Sequence, residues 1–177
     1  MDKIKFVNNG QPAINDTNLN QMQTNIENAI EEALEKIKNN ITIRGNGDVT
    51  LTMKQWAPQI IPFNTVEDSN GSLLIYANNK IVVGAGVNHI KLYGLLGLWG
   101  QPNTACEIHV YKNNSAFKTI YHNKVSPSGA ESRTLPTLVI PVKEGDTISL
   151  WLNTGYAGNY TIMTRASISY LTAEVVD

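Results

Sequence analysis

The sequence has 177 residues, a net charge of −1 and an apolar fraction of 42%. This length and apolar content suit one ordinary domain, or a smaller domain with an added stalk, built around a buried core. A nearly neutral chain without a lysine and arginine stripe lacks the electrostatic attraction on which nucleic-acid binding depends, so no nucleic-acid partner is expected.

The N-terminal residues show no membrane-targeting signal. Residues 1–6 lack the apolar segment of a secretion signal, and no apolar run reaches the length of a membrane span. The sequence therefore predicts a protein that is made in the cytoplasm and leaves by lysis or inside a particle. Residues 1–14 hold a short strand-like piece and an Asn-Asn-Gly turn, and are predicted to form a separate N-terminal segment.

Residues 15–41 are predicted to form one long amphipathic helix, with Asn15 as its N-cap. Its apolar positions repeat every eleven residues, in steps of three, four and four. Eleven residues in three turns is about 3.67 per turn, which is typical of a straight or weakly right-handed bundle. The predicted apolar stripe consists of Leu19, Met22, Ile26, Ile30, Ala33, Ile37 and Ile41.

An isolated helix of this length is marginal in water, so it needs a partner. Packing against copies of itself would make it a stalk whose subunit interface is the apolar stripe. The alternative is a core helix of an ordinary α+β domain. Residues 42–57 are predicted to be a connector, with Gly45 and Gly47 forming a joint.

From residue 58 to residue 177 the apolar period is two, which predicts strands. Turn signals such as Asn78-Asn79 and Lys112-Asn113-Asn114-Ser115 separate them. Eight to ten short strands in this span predict an antiparallel β-sandwich, most simply a jelly roll. Cys106, the single cysteine, lies in an alternating apolar run and is predicted to be a small buried hydrophobe.

Three segments of residues 58–177 resemble the complement and tumour-necrosis-factor-like trimeric jelly rolls. They are Lys80-Ile81-Val82-Val83 with Gly86-Val87, then Val110-Tyr111-Lys112-Asn113-Asn114, and then residues 142–148 with their Gly145-Asp146 turn. Asn114 stands where that family's hairpin usually has glycine. The resemblance implies a homotrimer with a jelly-roll head over residues 58–177.

The opening of the chain is similar to the N-termini of structural proteins from phages and prophages of low-GC Gram-positive bacteria. The similarity covers about 30 residues and includes residues 6–15 and the following Leu19-Asn20-Gln21-Met22-Gln23. It implies a fibre-like virion protein whose N-terminal segment attaches to other virion proteins.

No constellation of an enzyme can be assembled from the sequence. His89, His109 and His122 have no metal-ligand spacing, and there is no nucleophile elbow or P-loop. Most acidic residues stand in predicted turns, where solvated carboxylates are expected. No catalytic residue, metal site or cofactor is therefore predicted.

Two groups of aromatic residues are candidates for binding. Trp99, Asn103, Tyr156 and Tyr160 combine flat rings with amides in loops, which suits contact with a glycan, although such rings also pack between subunits or cap a core. His109, Tyr111 and Trp151 point away from the core side of their strands, and in a trimer the neighbouring subunit would cover them.

The sequence therefore predicts a mainly β protein with a helical stalk. Its predicted function is a non-enzymatic homotrimeric fibre or receptor-binding appendage of a phage tail, baseplate or capsid that contacts the host surface. One alternative is an architectural virion decoration or joining protein without a ligand. The other is a carbohydrate-binding module for host cell-wall glycan.

Overall fold

A computed structural model describes residues 16–163 and 168–176 of the chain. The chain divides into two compact units, with the boundary between Ile37 and Lys38. The first described element is α1 (Asp16–Lys38), and thirteen strands follow. They are β1 (Asn40–Arg44), β2 (Val49–Met53), β3 (Gln59–Ile60), β4 (Thr65–Asn70), β5 (Leu74–Ala77), β6 (Lys80–Val83), β7 (His89–Trp99), β8 (Ala105–Lys112), β9 (Ser115–Lys124), β10 (Ala130–Pro141), β11 (Thr147–Thr154), β12 (Gly158–Met163) and β13 (Tyr170–Val175).

The helix is shorter than the sequence predicts. It ends at Lys38, and Ile41 lies in β1, paired with Ala173 of β13 and fully buried in the sandwich. The assignment of Ile41 to the stalk interface is therefore wrong. Ile41 continues the helical spacing by coincidence, whereas the alternating β-branched run Ile41-Thr42-Ile43 favours a strand with both isoleucines facing one side.

Asn39, directly before β1, is anchored in the sandwich through its side chain and its backbone carbonyl. Its Oδ1 accepts a hydrogen bond from the Leu73 N–H at 2.9 Å, and its carbonyl accepts one from the Val175 N–H at 2.9 Å. A Cβ on Gly71 would lie only 2.0 Å from Asn39 Oδ1, so this contact requires glycine at that position. The N-terminal segment 1–14, the Asn15 cap and the side chain of Ile37 lie outside the described residues.

The structure of residues 42–57 also differs from the predicted connector. Residues 42–57 contain most of β1 and all of β2, and both strands belong to the sandwich. The glycine-containing stretch at residues 45–48 joins these two strands, and the Asn46 N–H donates to Asn64 Oδ1 at 2.8 Å. The sandwich therefore begins at Asn40 rather than at residue 58, because β1 pairs with β13 and β2 pairs with β12.

The predicted antiparallel sandwich is confirmed. One sheet has the order β2-β12-β7-β13-β1-β4, in which β12 and β13 pair with successive parts of β7, and β10 pairs with β7 along its opposite edge. The second sheet has the order β5-β6-β11-β8-β9, with β3 beside β11. Residues predicted to share a face are buried between the sheets, including Ile90, Leu92, Leu96 and Leu98 on β7. Cys106 is buried in the same core, as its alternation predicts.

Two hairpins turn through asparagine pairs. Asn78 and Asn79 have φ values of 51° and 62°, and Asn113 and Asn114 have values of 53° and 63°. Two consecutive left-handed residues are the signature of the two-residue turn that matches strand twist, and asparagine tolerates this conformation. Asn114 therefore meets the backbone requirement that glycine meets elsewhere.

Asp146 ties the turn before β11 to the β8–β9 hairpin. Its carboxylate lies 2.8 Å from Lys112 Nζ, and it accepts hydrogen bonds from Asn113 Nδ2 at 2.7 Å and from the Lys143 N–H at 3.0 Å. Burial alone would raise the pKa of Asp146, but the hydrogen bonds from Lys112, Asn113 and the Lys143 backbone outweigh it, and the pKa lies below its ordinary value.

Replacing Asp146 with asparagine is expected to reduce the unfolding free energy by roughly 1.5–3 kcal/mol at neutral pH, since the hydrogen bonds lost involve a charged group. The folded pKa is depressed, so the carboxylate stabilises fully above its unfolded pKa and loses that contribution as pH falls through the folded value. The difference in Tm between wild type and variant should narrow when pH falls from neutral to about 3. Glu144→Gln, at an exposed position of the same turn, is the control, and a pH-independent difference would assign the effect to packing.

Candidate ligand-binding surface

Trp99 lies at one end of the sandwich because β7 ends there, beside two strands whose neighbouring residues are small. Cross-strand partners of Trp99 are Ala130 on β10 and Thr161 on β12. These neighbours cover little of the indole, which is 61% exposed. A single exposed ring is ordinary on a protein surface, so its surroundings decide whether it can belong to a binding site.

Glycine fixes the position of the Trp99 ring. Gly129 has a φ of 78°, and a Cβ there would lie 3.2 Å from Trp99 Nε1 and 2.9 Å from the Gly100 carbonyl oxygen. The Gly100 N–H donates to the Gly129 carbonyl at 2.8 Å. Only a residue without a side chain fits at Gly129, so its backbone supports the pyrrole side of the indole.

A depression of about 280 Å³ lies beside this ring. Two of its lining residues are held by threonines of β2: the Thr161 hydroxyl is hydrogen bonded to the Thr50 hydroxyl at 3.0 Å, and Asn159 Oδ1 accepts from the Thr52 hydroxyl at 3.1 Å. The residues that line the depression are all uncharged: Trp99, Gly100, Gln101, Asn159 and Thr161. An aromatic wall with amide and hydroxyl groups is the usual composition of a sugar-binding surface.

Tyr160 does not reach this surface. It was predicted as a glycan contact, but its side chain is fully buried, and a Cβ on Gly100 would lie 2.3 Å from its ring. Its hydroxyl lies 3.1 Å from Thr104 Oγ1 and donates to the Tyr156 carbonyl at 3.3 Å. The alternation of side chains along a strand explains this burial, because Tyr160 lies on the inward face of β12 together with Ile162. It supports the loops that carry Trp99 and Tyr156.

Tyr156 and Asn103 are placed differently. The Tyr156 ring is 56% exposed and, like the Gln101 side chain, lies within 4 Å of where a Cβ on Gly158 would sit. Gln101, which lines the depression, and Tyr156 therefore both lie beside Gly158. Asn103 is exposed in a left-handed turn with φ 59°, and its N–H donates to the Val125 carbonyl at 3.0 Å. Asn103 therefore serves to turn the backbone.

Trp56 is a surface residue that sequence reasoning missed. Its indole is 51% exposed, and two of its ring carbons lie 3.0 and 3.2 Å from where a Cβ on Gly155 would sit, directly before Tyr156. Its N–H donates to the Thr154 carbonyl at 2.8 Å, and its φ is 55°, an unusual value for a bulky residue. Trp56, Tyr156 and Trp99 together are called the aromatic row below. The sequence feature that could have identified Trp56 is the presence of a tryptophan in a polar segment.

The second predicted group lies on the outer face of the other sheet. The Tyr111 and Trp151 rings are stacked, with centroids 4.5 Å apart and an interplanar angle of 18°, and His109 meets Tyr111 edge-on at 6.4 Å. The Trp151 Nε1–H donates to Ser149 Oγ at 3.0 Å. The structure thus brings all three predicted residues into one cluster, and each ring covers part of its neighbour.

Glu107 borders this cluster and is held by polar neighbours. Its carboxylate accepts hydrogen bonds from Asn153 Nδ2 at 2.8 Å and lies 2.8 Å from His122 Nδ1 and 3.2 Å from His109 Nε2. Burial would raise the pKa of Glu107, but the hydrogen bonds from Asn153 and His122 lower it below its ordinary value. A carboxylate so occupied stabilises the strand pair and is not poised as a general acid.

Three further carboxylates are paired with lysine or arginine side chains. Asp146 contacts Lys112, Glu131 contacts Arg133 at 2.5 Å, and Glu174 contacts Lys91 at 2.6 Å and Tyr93. Over residues 16–163 and 168–176, no group of three His, Cys, Asp or Glu side chains could hold a metal ion. Within the same described ranges, no helix is both long and apolar enough to cross a membrane.

No family model and no curated protein matches the sequence. Solved structures match the fold: murine APRIL, with a TM-score of 0.55 and 11% identity over 77% of this chain and 98% of that chain; Eiger TNF from S. frugiperda, at 0.53 and 13% over 79% and 93%; and vertex protein P5 of the phage PRD1, at 0.56 and 12% over 80% and 99%. At these identities the likeness shows the fold alone. The predicted mainly β fold with a tumour-necrosis-factor-like jelly roll is confirmed.

Proposed function

We propose that this protein is a non-enzymatic structural protein of a phage virion. In this proposal it forms a homotrimeric fibre or receptor-binding appendage of the tail, baseplate or capsid, and its sandwich contacts the host cell surface. The observation that carries the proposal is the exposed apolar stripe of α1.

The stripe needs a partner. Its large described members are between 44% and 56% exposed: Leu19, Met22, Ile26 and Ile30. The neighbouring Leu34 is 43% exposed. A single helix of 23 residues with such a stripe is marginal in water. Three copies that align their stripes would bury them along a common axis, and folds of the tumour-necrosis-factor type commonly form trimers.

Two further observations support a place in a virion. The sandwich shares its fold with a protein whose name places it at a vertex of PRD1. The opening of the chain resembles the N-termini of phage structural proteins, and residues 1–14 would attach the trimer to the particle.

Mass and location test the proposal. Light scattering of the full chain at micromolar concentration should give three times the 19.5 kDa of one chain. Antibodies against the sandwich should label purified particles at one kind of position, and particles without the protein should adsorb poorly to host cells. A monomer mass would overturn the stalk, absence from particles would overturn the virion role, and normal adsorption of deficient particles would favour an architectural protein.

The cluster of His109, Tyr111 and Trp151 is proposed as the subunit contact of the sandwich. Trp151→Ala is expected to lower the trimer fraction when the stalk is also disrupted by Ile30→Asp, because an interface tryptophan contributes about 2 kcal/mol or more. Sedimentation of the double variant measures this. Phe117→Ala removes an exposed ring from β9 and is the matched control. An unchanged trimer fraction would mean that the Tyr111–Trp151 stack serves only its own chain.

A further inference from the structure

We infer that the aromatic row binds a neutral, extended saccharide. The inference deepens the proposed function, on which it rests for the source of the sugar, a glycan of the host cell surface. The site itself consists of Trp56, Tyr156 and Trp99 with the polar depression beside Trp99.

The three rings are brought together from distant parts of the sequence. Trp56 follows β2, Tyr156 follows β11, and Trp99 ends β7. Trp56 lies against Gly155, next to Tyr156, while the Gln101 side chain connects Tyr156 to the depression through Gly158. Each exposed ring offers a flat face, which suits the apolar C–H face of a sugar unit.

Polar groups beside the rings match sugar hydroxyls. Asn159 accepts a hydrogen bond from the Thr52 hydroxyl through Oδ1, which orients its amide and leaves Nδ2 as a positioned donor. Gln101 and the Thr161 hydroxyl line the same depression. Amides and hydroxyls both donate and accept, so they can pair with hydroxyl groups, which also do both.

The uncharged lining of the depression indicates which class of glycan it fits. The lining of the depression carries no ionisable side chain: Trp99, Gly100, Gln101, Asn159 and Thr161. Recognition of phosphate, sulfate or carboxylate groups normally uses arginine, lysine or a helix N-terminus. The surface therefore fits an uncharged oligosaccharide better than a polymer of glycerol phosphate.

The row is held in place before any ligand arrives. Trp56 keeps a left-handed φ of 55° because its N–H is bound to the Thr154 carbonyl and its ring packs on Gly155. Such backbone strain concentrates at binding sites. The Tyr160 hydroxyl connects the Thr104 and Tyr156 segments from below. Preorganised rings lose little entropy on binding.

The three tryptophans permit a direct test, because each gives one indole N–H signal in a nitrogen-15 NMR spectrum of the full chain. The probes are defined oligosaccharides of glucose, galactose, rhamnose and N-acetylglucosamine, and neutral polysaccharide released from Gram-positive cell walls. We expect at least one neutral probe to move the Trp99 and Trp56 signals while the Trp151 signal stays. Trp99→Ala should weaken that binding about tenfold, whereas Phe117→Ala should leave it unchanged.

Three results would overturn the inference. The first is that no neutral probe moves the Trp99 signal. The second is that glycerol-phosphate oligomers bind and neutral probes do not, which would replace the ligand class. The third is that Trp99→Ala lowers the trimer mass, which would make the ring a contact with a second copy. None of these results changes the mass of the wild-type chain or the labelling of particles, so failure here is distinct from failure of the proposed function.

Discussion

Replacing Ile30 with aspartate is expected to abolish most of the helical circular dichroism of α1 while the sandwich keeps its fold. In a trimeric stalk three Ile30 side chains meet on the axis, although each is 53% exposed on its own chain. Burial of one isoleucine is worth roughly 1.5–3 kcal/mol, so three lost together cost about 4.5–9 kcal/mol per trimer. That loss is comparable to the stability of a whole domain.

The introduced carboxylates add to this loss. Three aspartates in an apolar seam would be desolvated and would repel one another, and both effects oppose ionisation. Asn28→Asp is the matched control, because it introduces the same side chain two residues away, about 200° around the helix. The control should retain its helical signal and its mass in sedimentation.

Thermal unfolding separates the two explanations of the helix. If α1 is a stalk, Ile30→Asp removes the helical transition and leaves the transition of the sandwich near its wild-type temperature. Loss of both in one cooperative step would mean that α1 belongs to the core of the sandwich, which is the α+β alternative. The boundary between Ile37 and Lys38 agrees with the first explanation.

Much of the sandwich could be predicted from the sequence because its signals are local. Alternation in β7, β8 and β11 identifies the buried face, and burial of Ile90, Ile108 and Leu150 follows it. The asparagine pairs mark hairpins because few other residues accept two left-handed conformations in succession. The order of strands in each sheet could come only from resemblance, since pairing between distant segments leaves no local signal.

The errors occur where two periods coincide. Ile41 fits both the helical stripe and a strand, and only its partners Ala173 and Ser69 decide between them. In β2, Leu51 alternates as strand residues do, but the nearby glycines suggested a connector. A short strand at a sheet edge has a signal no stronger than that of an extended loop.

The candidate surface was predicted only in part. Trp99 and Tyr156 stand beside turn residues, which is a local indication of exposure, and both are exposed. Trp56 joins them through a contact with Gly155, a hundred residues away along the chain. Tyr160 also stands beside a turn, but the pleat of β12 turns it inward. Proximity to a loop indicates where a residue lies, whereas strand phase determines which way it points.

Substitution of Tyr160 is the second change that is expected to have a large effect on stability. Tyr160→Ala is expected to reduce the unfolding free energy by about 3–5 kcal/mol, since the ring is fully buried and a cavity would remain. Its Tm should fall by about 6–20 °C, at roughly 2–4 °C per kcal/mol for a chain of this size. Sugar binding should also weaken, because the Thr104 and Tyr156 segments would lose their common support.

Tyr160→Phe isolates the hydroxyl. This variant keeps the ring and removes only the hydrogen bonds to Thr104 and Tyr156, so it should cost about 0.5–1.5 kcal/mol. A positioning role predicts that the Phe variant retains most sugar binding and that its loss of affinity tracks its loss of stability. If Tyr160→Phe instead abolished binding at unchanged Tm, the hydroxyl would have to reach the ligand. That result would require the buried ring to turn outward, and the original assignment of Tyr160 as a glycan contact would then be restored.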